Sequence, residues 1–456
     1  MAEVPHQQTE DLPLASRVER LEARMLELES RIAHAEANRV SSADLSPLPP
    51  VQLTIPGGRT QDELEYEVGQ NWFAKAGIVV LAVGASFTLS LPGASLPAVV
   101  PSLCGYVFVA TLLGLAHVWR ASFAMVAGYL RAAGLALLYF ATLRLSFFGE
   151  QHVFSPGSIA AVALLTLATA GIIAAALRWK SPWIFVLGLG AAAATGIAAG
   201  STPVTLLTVL LLAALIISVS RSYEWPVVVV TGIPLTHATY LVWALNNPLL
   251  GHPMHFVGGS LVGPGTLLAS VIILSLGTMF RRDRSRENVL TIVSALLNCA
   301  LGYGIFLVHT SVAFSPAFAL AHVGAFLAFL GLAVTFWVRE QSRASTFFYA
   351  MTGYVALSMA IVKVATGAEV FVWLSLQSVV VVATAIWFRS RFIIVANFLI
   401  YVAIVLGYMF AAERETGISV GFGIVALISA RILNWQKSRL ELKTELMRNA
   451  YLLSAF

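Results

Sequence analysis

Residues 203–219 read PVTLLTVLLLAALIISV, a run that contains no charged side chain. A bilayer core about 30 Å thick is crossed by about 20 mostly apolar residues in a helix, so a run of this kind predicts a transmembrane helix. Further runs of the same character follow one another along residues 73–434 with only short polar connections. We therefore predict an all-α, polytopic membrane protein with about fourteen transmembrane helices.

The predicted spans extend in both directions from this run. Their unbroken apolarity, with glycine and proline inside several of them, indicates helices rather than the alternating polar and apolar residues of a membrane β-barrel. Together with the first run, they lie near residues 73–91, 97–118, 124–143, 156–177, 182–199, 203–219, 225–245, 260–280, 288–309, 316–338, 345–365, 369–388, 392–411 and 417–434.

The overall composition supports the same class of protein. Hydrophobic residues make up 58% of the 456 residues and charged residues only 11%, against roughly 25% charged in ordinary soluble domains. Thirteen of the 23 acidic residues lie in the N-terminal segment between Glu3 and Glu67. We attribute the net charge of +5 to loops beside a membrane, and we expect no nucleic-acid partner.

Basic residues between the spans predict the orientation of the chain. With the N-terminus inside, twelve of them fall on the inner side and three on the outer side. Because cytoplasmic loops carry an excess of Lys and Arg, this asymmetry favours fourteen crossings with both termini cytoplasmic, in a bacterium at the inner membrane. The inner set is Arg120, Arg178, Lys180, Arg221, Arg281, Arg282, Arg284, Arg286, Arg339, Arg343, Arg389 and Arg391, and the outer set is Arg144, Lys363 and Arg414.

A short soluble arm precedes the membrane domain. Residues 1–13 are predicted to be disordered, and residues 14–40 carry apolar positions at alternating gaps of four and three. This pattern indicates a coiled-coil helix that self-associates or docks on a partner, with a lone amphipathic helix as the alternative. Residues 41–61 are rich in proline and glycine and predict a flexible linker. The membrane domain then occupies residues 62–434, and residues 435–456 predict a cytoplasmic amphipathic tail helix.

Two stretches in the first third of the chain resemble a known family. They are QNWFAKAGIVVLAVG at residues 70–84 and AGLALLYF at residues 133–140. Both are similar to the first and third spans of a bacterial family of predicted multi-pass membrane proteins of unknown function, which places a coiled coil and a Pro-rich linker before a long helix array. Members are commonly longer, and many carry a Lys-Tyr pair where this chain has SFTLS at residues 86–90. The resemblance implies the fold and the localisation and assigns no activity.

Arg131 is the first candidate for a substrate-binding residue. If the third span is 124–143, its guanidinium lies several residues inside the bilayer with no acidic residue at matching depth. A charge at mid-bilayer costs at least about 2.5–3.5 kcal/mol and is often functional, so it suggests a cation that faces a polar cavity and an anionic substrate or lipid headgroup. The alternative is that residues 120–131 are interfacial and that the span begins at Ala132.

His237 is the second candidate. It follows Pro234 in a span that Gly232 also interrupts, and a broken helix can expose backbone carbonyls to a cavity, as in transporters. A kink that serves packing alone is the alternative. Several histidines map to the predicted outer half, but their spacing is not diagnostic of a metal site. We assign them to the interface and the core and predict no metal, with an outward metal or proton-linked site as the alternative. These histidines are His152, His237, His252, His255, His309 and His322.

Lys363 and Glu369 flank the tight turn between spans eleven and twelve. Long side chains at the membrane interface place their charged ends in water, so we predict a structural ion pair that holds this hairpin at the outer surface. A gate or binding pair is the alternative.

Other polar residues inside the spans are assigned to packing. Asn298, Gln377 and Asn397 are expected to hydrogen-bond across helices. Cys104 and Cys299 have no partner at motif spacing, so neither a disulfide nor a metal site is predicted. Both cysteines are expected to lie in the core.

The sequence shows no motif for catalysis. It contains no phosphate-binding loop, selectivity filter, HExxH motif or mid-membrane carboxylate pair, so we predict no cofactor and place a membrane-embedded enzyme third among the functional hypotheses. The first hypothesis is a transporter-like or lipid-handling permease, based on the helix number, the interrupted seventh span and Arg131, with membrane lipids as partners. The second is a non-catalytic scaffold that acts through residues 14–40.

Overall fold

The computed structural model describes most of the membrane domain and little of the arm. Contacts between Cα atoms divide the chain into two units, Met1–Gly69 and Gln70–Phe456. The residues described in the first unit are helical. The predicted disordered segment, the linker and most of the coiled coil and of the tail lie outside the described residues. The described residues are 25–27, 29–31, 74–90, 97–148, 152–277, 279, 289–411, 416–435, 448–450 and 452–453.

The second unit is built from helices joined by short connections, and its described residues contain no strand. Two short 3₁₀ turns, Pro248–Leu250 and Ser315–Ala317, and a π-helical turn, Phe336–Glu340, interrupt the series. The α-helices are α1 (Ala74–Ser90), α2 (Val99–Val118), α3 (Ala124–Leu143), α4 (Ile159–Arg178), α5 (Pro182–Ala198), α6 (Thr202–Tyr223), α7 (Pro226–Ala244), α8 (Val262–Leu276), α9 (Val289–Ala313), α10 (Phe318–Thr335), α11 (Arg343–Val364), α12 (Glu369–Trp387), α13 (Arg391–Ala411) and α14 (Thr416–Trp435).

Helix length and apolarity confirm the class of protein. Among the described residues, ten helices are long and apolar enough to cross a membrane, and α1, α5, α8 and α14 contribute shorter apolar segments. Because a helix satisfies its own backbone hydrogen bonds, such an array is stable where water is absent. The chain is therefore an all-helical, multi-pass membrane protein, while the total of fourteen crossings stays a prediction.

Local sequence signals set several helix boundaries. The hydroxyl of Ser158 accepts a hydrogen bond from the backbone N–H of Ala161 at 3.3 Å, and that of Ser342 accepts one from Ser345 at 3.3 Å. Each hydroxyl satisfies one of the backbone donors that a helix start leaves unpaired. Gly367 adopts a φ of 58° in the turn between α11 and α12, a left-handed conformation that glycine adopts without strain.

The interior is divided among three apolar clusters that follow the chain, the first on α1–α3, the second on α3–α8 and the third on α6–α14. Many other large apolar side chains face outward, including Leu167 at 70% exposure and Phe410 at 86%. Cys299 is buried as expected, whereas Cys104 is exposed on α2, so the core prediction is wrong for Cys104. Lipid tails are as apolar as a protein core, so an apolar position in a span does not indicate which of the two it meets.

Candidate functional site

A cleft lined by basic side chains lies at one end of α2, α3 and α4, and we call it the cationic cleft. Its volume is about 520 Å³. Three arginines enter it from three different elements, and all three lie near the predicted inner side of the membrane. The residues that line it are Leu113, His117, Arg120, Arg131, Ala174, Ala175, Arg178 and Trp179.

Two of the arginines stand where helices end. α2 ends at Val118, and Arg120 follows in the exposed turn that leads to α3. Arg178 is the last residue of α4, and Trp179 follows it as the C-cap. Cations near helix C-termini are stabilised by the backbone carbonyls there. The ends of α2 and α4 therefore tolerate the charges of Arg120 and Arg178. The two arginines enter the cleft from these two different helices.

Arg131 comes from inside α3. It is the eighth residue of this helix, so its Cα lies about 10 Å along the axis from Ala124. The helix runs unbroken through it, and the side chain is half-buried. Its guanidinium carbon lies 5.1 Å from the centre of the Trp179 ring, within the range of a cation–π contact. Because Trp179 follows the last residue of α4, the charge of Arg131 reaches the level where α4 ends.

The described residues do not neutralise the positive charge of the cationic cleft. Within the described part of the chain, no carboxylate forms an ion pair with Arg120, Arg131 or Arg178. Guanidinium groups that converge on one cavity repel one another, and the repulsion is relieved when an anion binds between them. Phosphate suits this arrangement, since a guanidinium can donate two parallel hydrogen bonds to its oxygens. The cleft is thus chemically suited to a compact anion.

His237 occupies a different place, in the interior formed by α7, α8, α9 and α11. It is fully buried, and its Nε2–H donates to Asn298 Oδ1 at 3.1 Å. The amide nitrogen of Asn298 in turn donates to the Val271 carbonyl at 2.9 Å and to the Tyr349 hydroxyl at 3.1 Å. We call these four residues the Asn298 network. The structure does not bring His237 and Arg131 together: Arg131 lines the cationic cleft and His237 does not.

The other outer histidines also have local roles. His309 is buried, its Nε2–H donates to the Val257 carbonyl at 2.7 Å, and its Nδ1 accepts from the Tyr240 hydroxyl at 2.8 Å. His322 donates through Nδ1 to the carbonyl of Phe318 at 2.9 Å. The remaining three, His152, His252 and His255, are exposed. Among the described residues, no group of three or more His, Cys, Asp or Glu side chains could hold a metal ion.

Lys363 and Glu369 are both exposed at the turn between α11 and α12. The ammonium of Lys363 donates to the Ser315 hydroxyl at 2.9 Å. In the described structure no ion pair joins Lys363 to Glu369. Lys363 thus links this turn to the connection between α9 and α10.

The buried amides bond across helices, as the sequence predicts. Besides Asn298, Gln377 on α12 donates to the carbonyl of Tyr354 on α11 at 2.8 Å. Asn397 on α13 donates to the hydroxyl of Ser378 on α12 at 2.8 Å. A buried amide costs free energy unless its donors are paired, so these bonds explain why polar residues are tolerated in these spans.

The sequence singles out Arg131 but not its neighbours in the cleft. In the sequence Arg120 and Arg178 indicate only the orientation of the chain, and Trp179 and His117 carry no signal. The orientation argument already placed both arginines on the inner side, toward which Arg131 also lies. That shared side is the pattern from which the cluster could have been predicted.

Comparison with known proteins adds no further assignment. No known protein family, curated protein or solved structure matches the chain.

Proposed function

We propose that this protein is a transporter-like or lipid-handling permease whose substrate carries a compact anionic group, and that this group binds in the cationic cleft. The observation that supports the proposal is the convergence of Arg120, Arg131 and Arg178 on one cavity. Arg131 is the central residue, because it lies inside a span where a charge is costly. The resemblance of residues 70–84 and 133–140 to bacterial multi-pass membrane proteins supports a place in the bacterial inner membrane.

The chemistry of the cleft favours a phosphate-bearing substrate. Each hydrogen bond between a charged donor and an oxyanion contributes about 1.5–3 kcal/mol. Three guanidinium groups can share the oxygens of one phosphate, and partial exclusion of water strengthens each attraction. In a zwitterionic headgroup the arginines repel the ammonium group, which offsets their attraction for the phosphate, so the cleft favours headgroups with a net negative charge.

We expect Arg131→Gln to slow substrate movement at least tenfold. The loss of one charge-assisted hydrogen bond corresponds to about 1.4 kcal/mol or more, which is a factor of ten. The measurement is transbilayer exchange in proteoliposomes, followed as quenching by dithionite of a fluorescent phosphatidylglycerol in the inner leaflet. The same assay with fluorescent phosphatidylcholine should show little effect of the substitution.

Arg343→Gln is the matched control for this experiment. Arg343 is an exposed arginine on the same predicted side of the membrane, at the start of α11, and it does not line the cleft. Vesicles that hold the Arg343→Gln variant should exchange lipid at the wild-type rate when they contain the same amount of protein. Equal rates for Arg131→Gln and wild type would remove the cleft from the mechanism and favour the scaffold hypothesis for residues 14–40.

The same proposal places both termini in the cytoplasm. A periplasmic phosphatase fused after His255 should therefore be active, whereas fusions after Arg284 and after Phe456 should be inactive. Green fluorescent protein fused at the same three positions should give the opposite pattern, because it does not fold after export in an unfolded state. Phosphatase activity at Arg284 without activity at His255 would contradict the orientation.

A further inference from the structure

The cationic cleft has an apolar part as well as a charged one. α2 and α4 both pack against α3, yet they scarcely touch each other. Side chains of both helices line the cleft, which is therefore a gap between α2 and α4, and Arg131 enters it from α3. The arginines occupy the end of the gap near the predicted inner surface, and the gap continues from there between the two helices.

The walls deeper in the gap are apolar. Leu113 on α2 precedes Arg120 by seven residues, and Ala174 on α4 precedes Arg178 by four. At 1.5 Å per residue, these side chains lie about 10 Å and 6 Å farther into the membrane than the arginines. Gly171 lies one turn deeper than Ala174, and a Cβ added there would meet nothing within 4 Å. Within the cleft itself, the small side chains of Ala174 and Ala175 leave room on the α4 side.

From this arrangement we infer that the anion held by the arginines is the headgroup of a lipid whose acyl chain lies in the gap between α2 and α4. The inference rests on the proposed function and names its substrate class. A soluble phosphate could use the three guanidinium groups, but it would leave the apolar part of the cleft unused. A cavity of about 520 Å³ also falls within the usual range for small-molecule sites, roughly 300–1,000 Å³.

The bilayer supplies such a ligand in the required orientation. An acyl chain that moves from surrounding lipid into the gap exchanges one apolar environment for another, so its transfer costs little. The headgroup is already held at the depth of Arg120 and Arg178, which raises its effective concentration above that of a free anion in solution. Charge therefore selects the lipid, and the apolar gap admits its chain.

Two ligands with the same headgroup chemistry test the inference on the full-length protein. Phosphatidic acid is titrated into phosphatidylcholine nanodiscs that hold the protein, and bound lipid is counted by native mass spectrometry. Glycerol 3-phosphate, which carries the same phosphate without acyl chains, is titrated into identical nanodiscs and followed by calorimetry. We expect the protein to bind phosphatidic acid at low mole fraction and glycerol 3-phosphate at least tenfold more weakly.

Ala174→Trp fills the apolar part of the cleft without removing a charge. It should weaken phosphatidic acid binding at least tenfold and weaken glycerol 3-phosphate binding by a much smaller factor, because all three arginines stay in place. Ala163→Trp is the control, because Ala163 is exposed on the same helix about 16 Å from Ala174 along the axis. Leu113→Trp fills the gap from the opposite wall and should repeat the result if Ala174→Trp fails to fold.

The outcomes separate this inference from the proposed function. Equal affinity for both ligands, or unchanged lipid binding in folded Ala174→Trp and Leu113→Trp, overturns the acyl-chain assignment and leaves an anion site. If Arg131→Gln changes the binding of neither ligand, the anion site itself is overturned. If Arg131→Gln weakens the binding of both ligands and Ala174→Trp weakens mainly the binding of phosphatidic acid, the anion site and the acyl-chain assignment are both supported.

Discussion

Replacing Gly302 with valine is expected to lower the free energy of unfolding by about 3 kcal/mol, the upper end of the usual cost of overpacking a core. α9 passes so close to α7 and α8 here that an added Cβ would collide with Val271 Cγ2 and lie 3.3 Å from His237 Cε1. Val271, His237 or the backbone of α9 must then shift to make room. A shift of His237 or of α9 also stretches the hydrogen bond from His237 to Asn298.

Gly304→Val provides a matched control on the same helix. A Cβ added at Gly304 meets nothing within 4 Å, while the change in backbone freedom is the same as at Gly302. We expect it to cost less than about 1 kcal/mol. Unfolding of the purified proteins in mixed micelles with increasing sodium dodecyl sulfate measures both values. Equal losses for the two variants would show that the close approach of α9 carries no specific cost.

Replacing Asn298 with leucine is expected to lower the free energy of unfolding by about 2–4 kcal/mol. The substitution removes all three hydrogen bonds of this side chain at once, leaving His237 Nε2–H without an acceptor and the Val271 carbonyl and the Tyr349 hydroxyl without a donor. Each side-chain hydrogen bond in a membrane protein contributes about 0.6 kcal/mol on average and up to about 1.7. The polar groups left unpaired in the interior add their own cost.

Tyr349→Phe should give a smaller loss in the same network, within about 0.6–1.7 kcal/mol, because it removes one partner of Asn298. The double variant should lose no more than Asn298→Leu alone, since the leucine has already removed the shared bond. The same micelle titration measures the series. A free energy of unfolding for Asn298→Leu within about 0.5 kcal/mol of wild type would show that the network does not hold α7 to its neighbours.

The two stability predictions bear on the interrupted seventh span. Pro234 lies inside α7 and cannot supply a backbone N–H to the helix. His237 follows one turn later and ties α7 to α9 through Asn298. This hydrogen bond supports the packing alternative for the interrupted span, and a role of His237 in substrate binding stays a prediction.

Much of the fold could be predicted because a membrane span must be apolar along its whole length. The third span was predicted at residues 124–143, and α3 occupies Ala124–Leu143. The run at residues 203–219 lies within α6, Thr202–Tyr223. Boundaries were less certain where a helix extends beyond its apolar run, as at the last turn of α6. The requirement is local, so no information from neighbouring helices was needed.

The candidate site could be predicted only in part. Arg131 was identified because a charge inside a span is unusual, and this needs only the sequence. Its partners Arg120 and Arg178 could not be told from other basic residues beside the membrane. The ion pair of Lys363 with Glu369 was inferred from their closeness along the chain. The ammonium instead donates to Ser315, 48 residues away, because the turns at the ends of neighbouring helices meet.

By itself, the sequence determined that this chain is a series of membrane helices, because only long apolar helices satisfy the backbone inside a bilayer. Only the tertiary structure decided which side of each helix faces protein, since lipid tails and the core are equally apolar and periodicity does not separate them. Exposed Cys104 and buried Cys299 show this difference. The tertiary structure also decided that α2 and α4 both pack against α3 and scarcely touch each other. This packing brings Arg120, Arg131 and Arg178 together in one cleft.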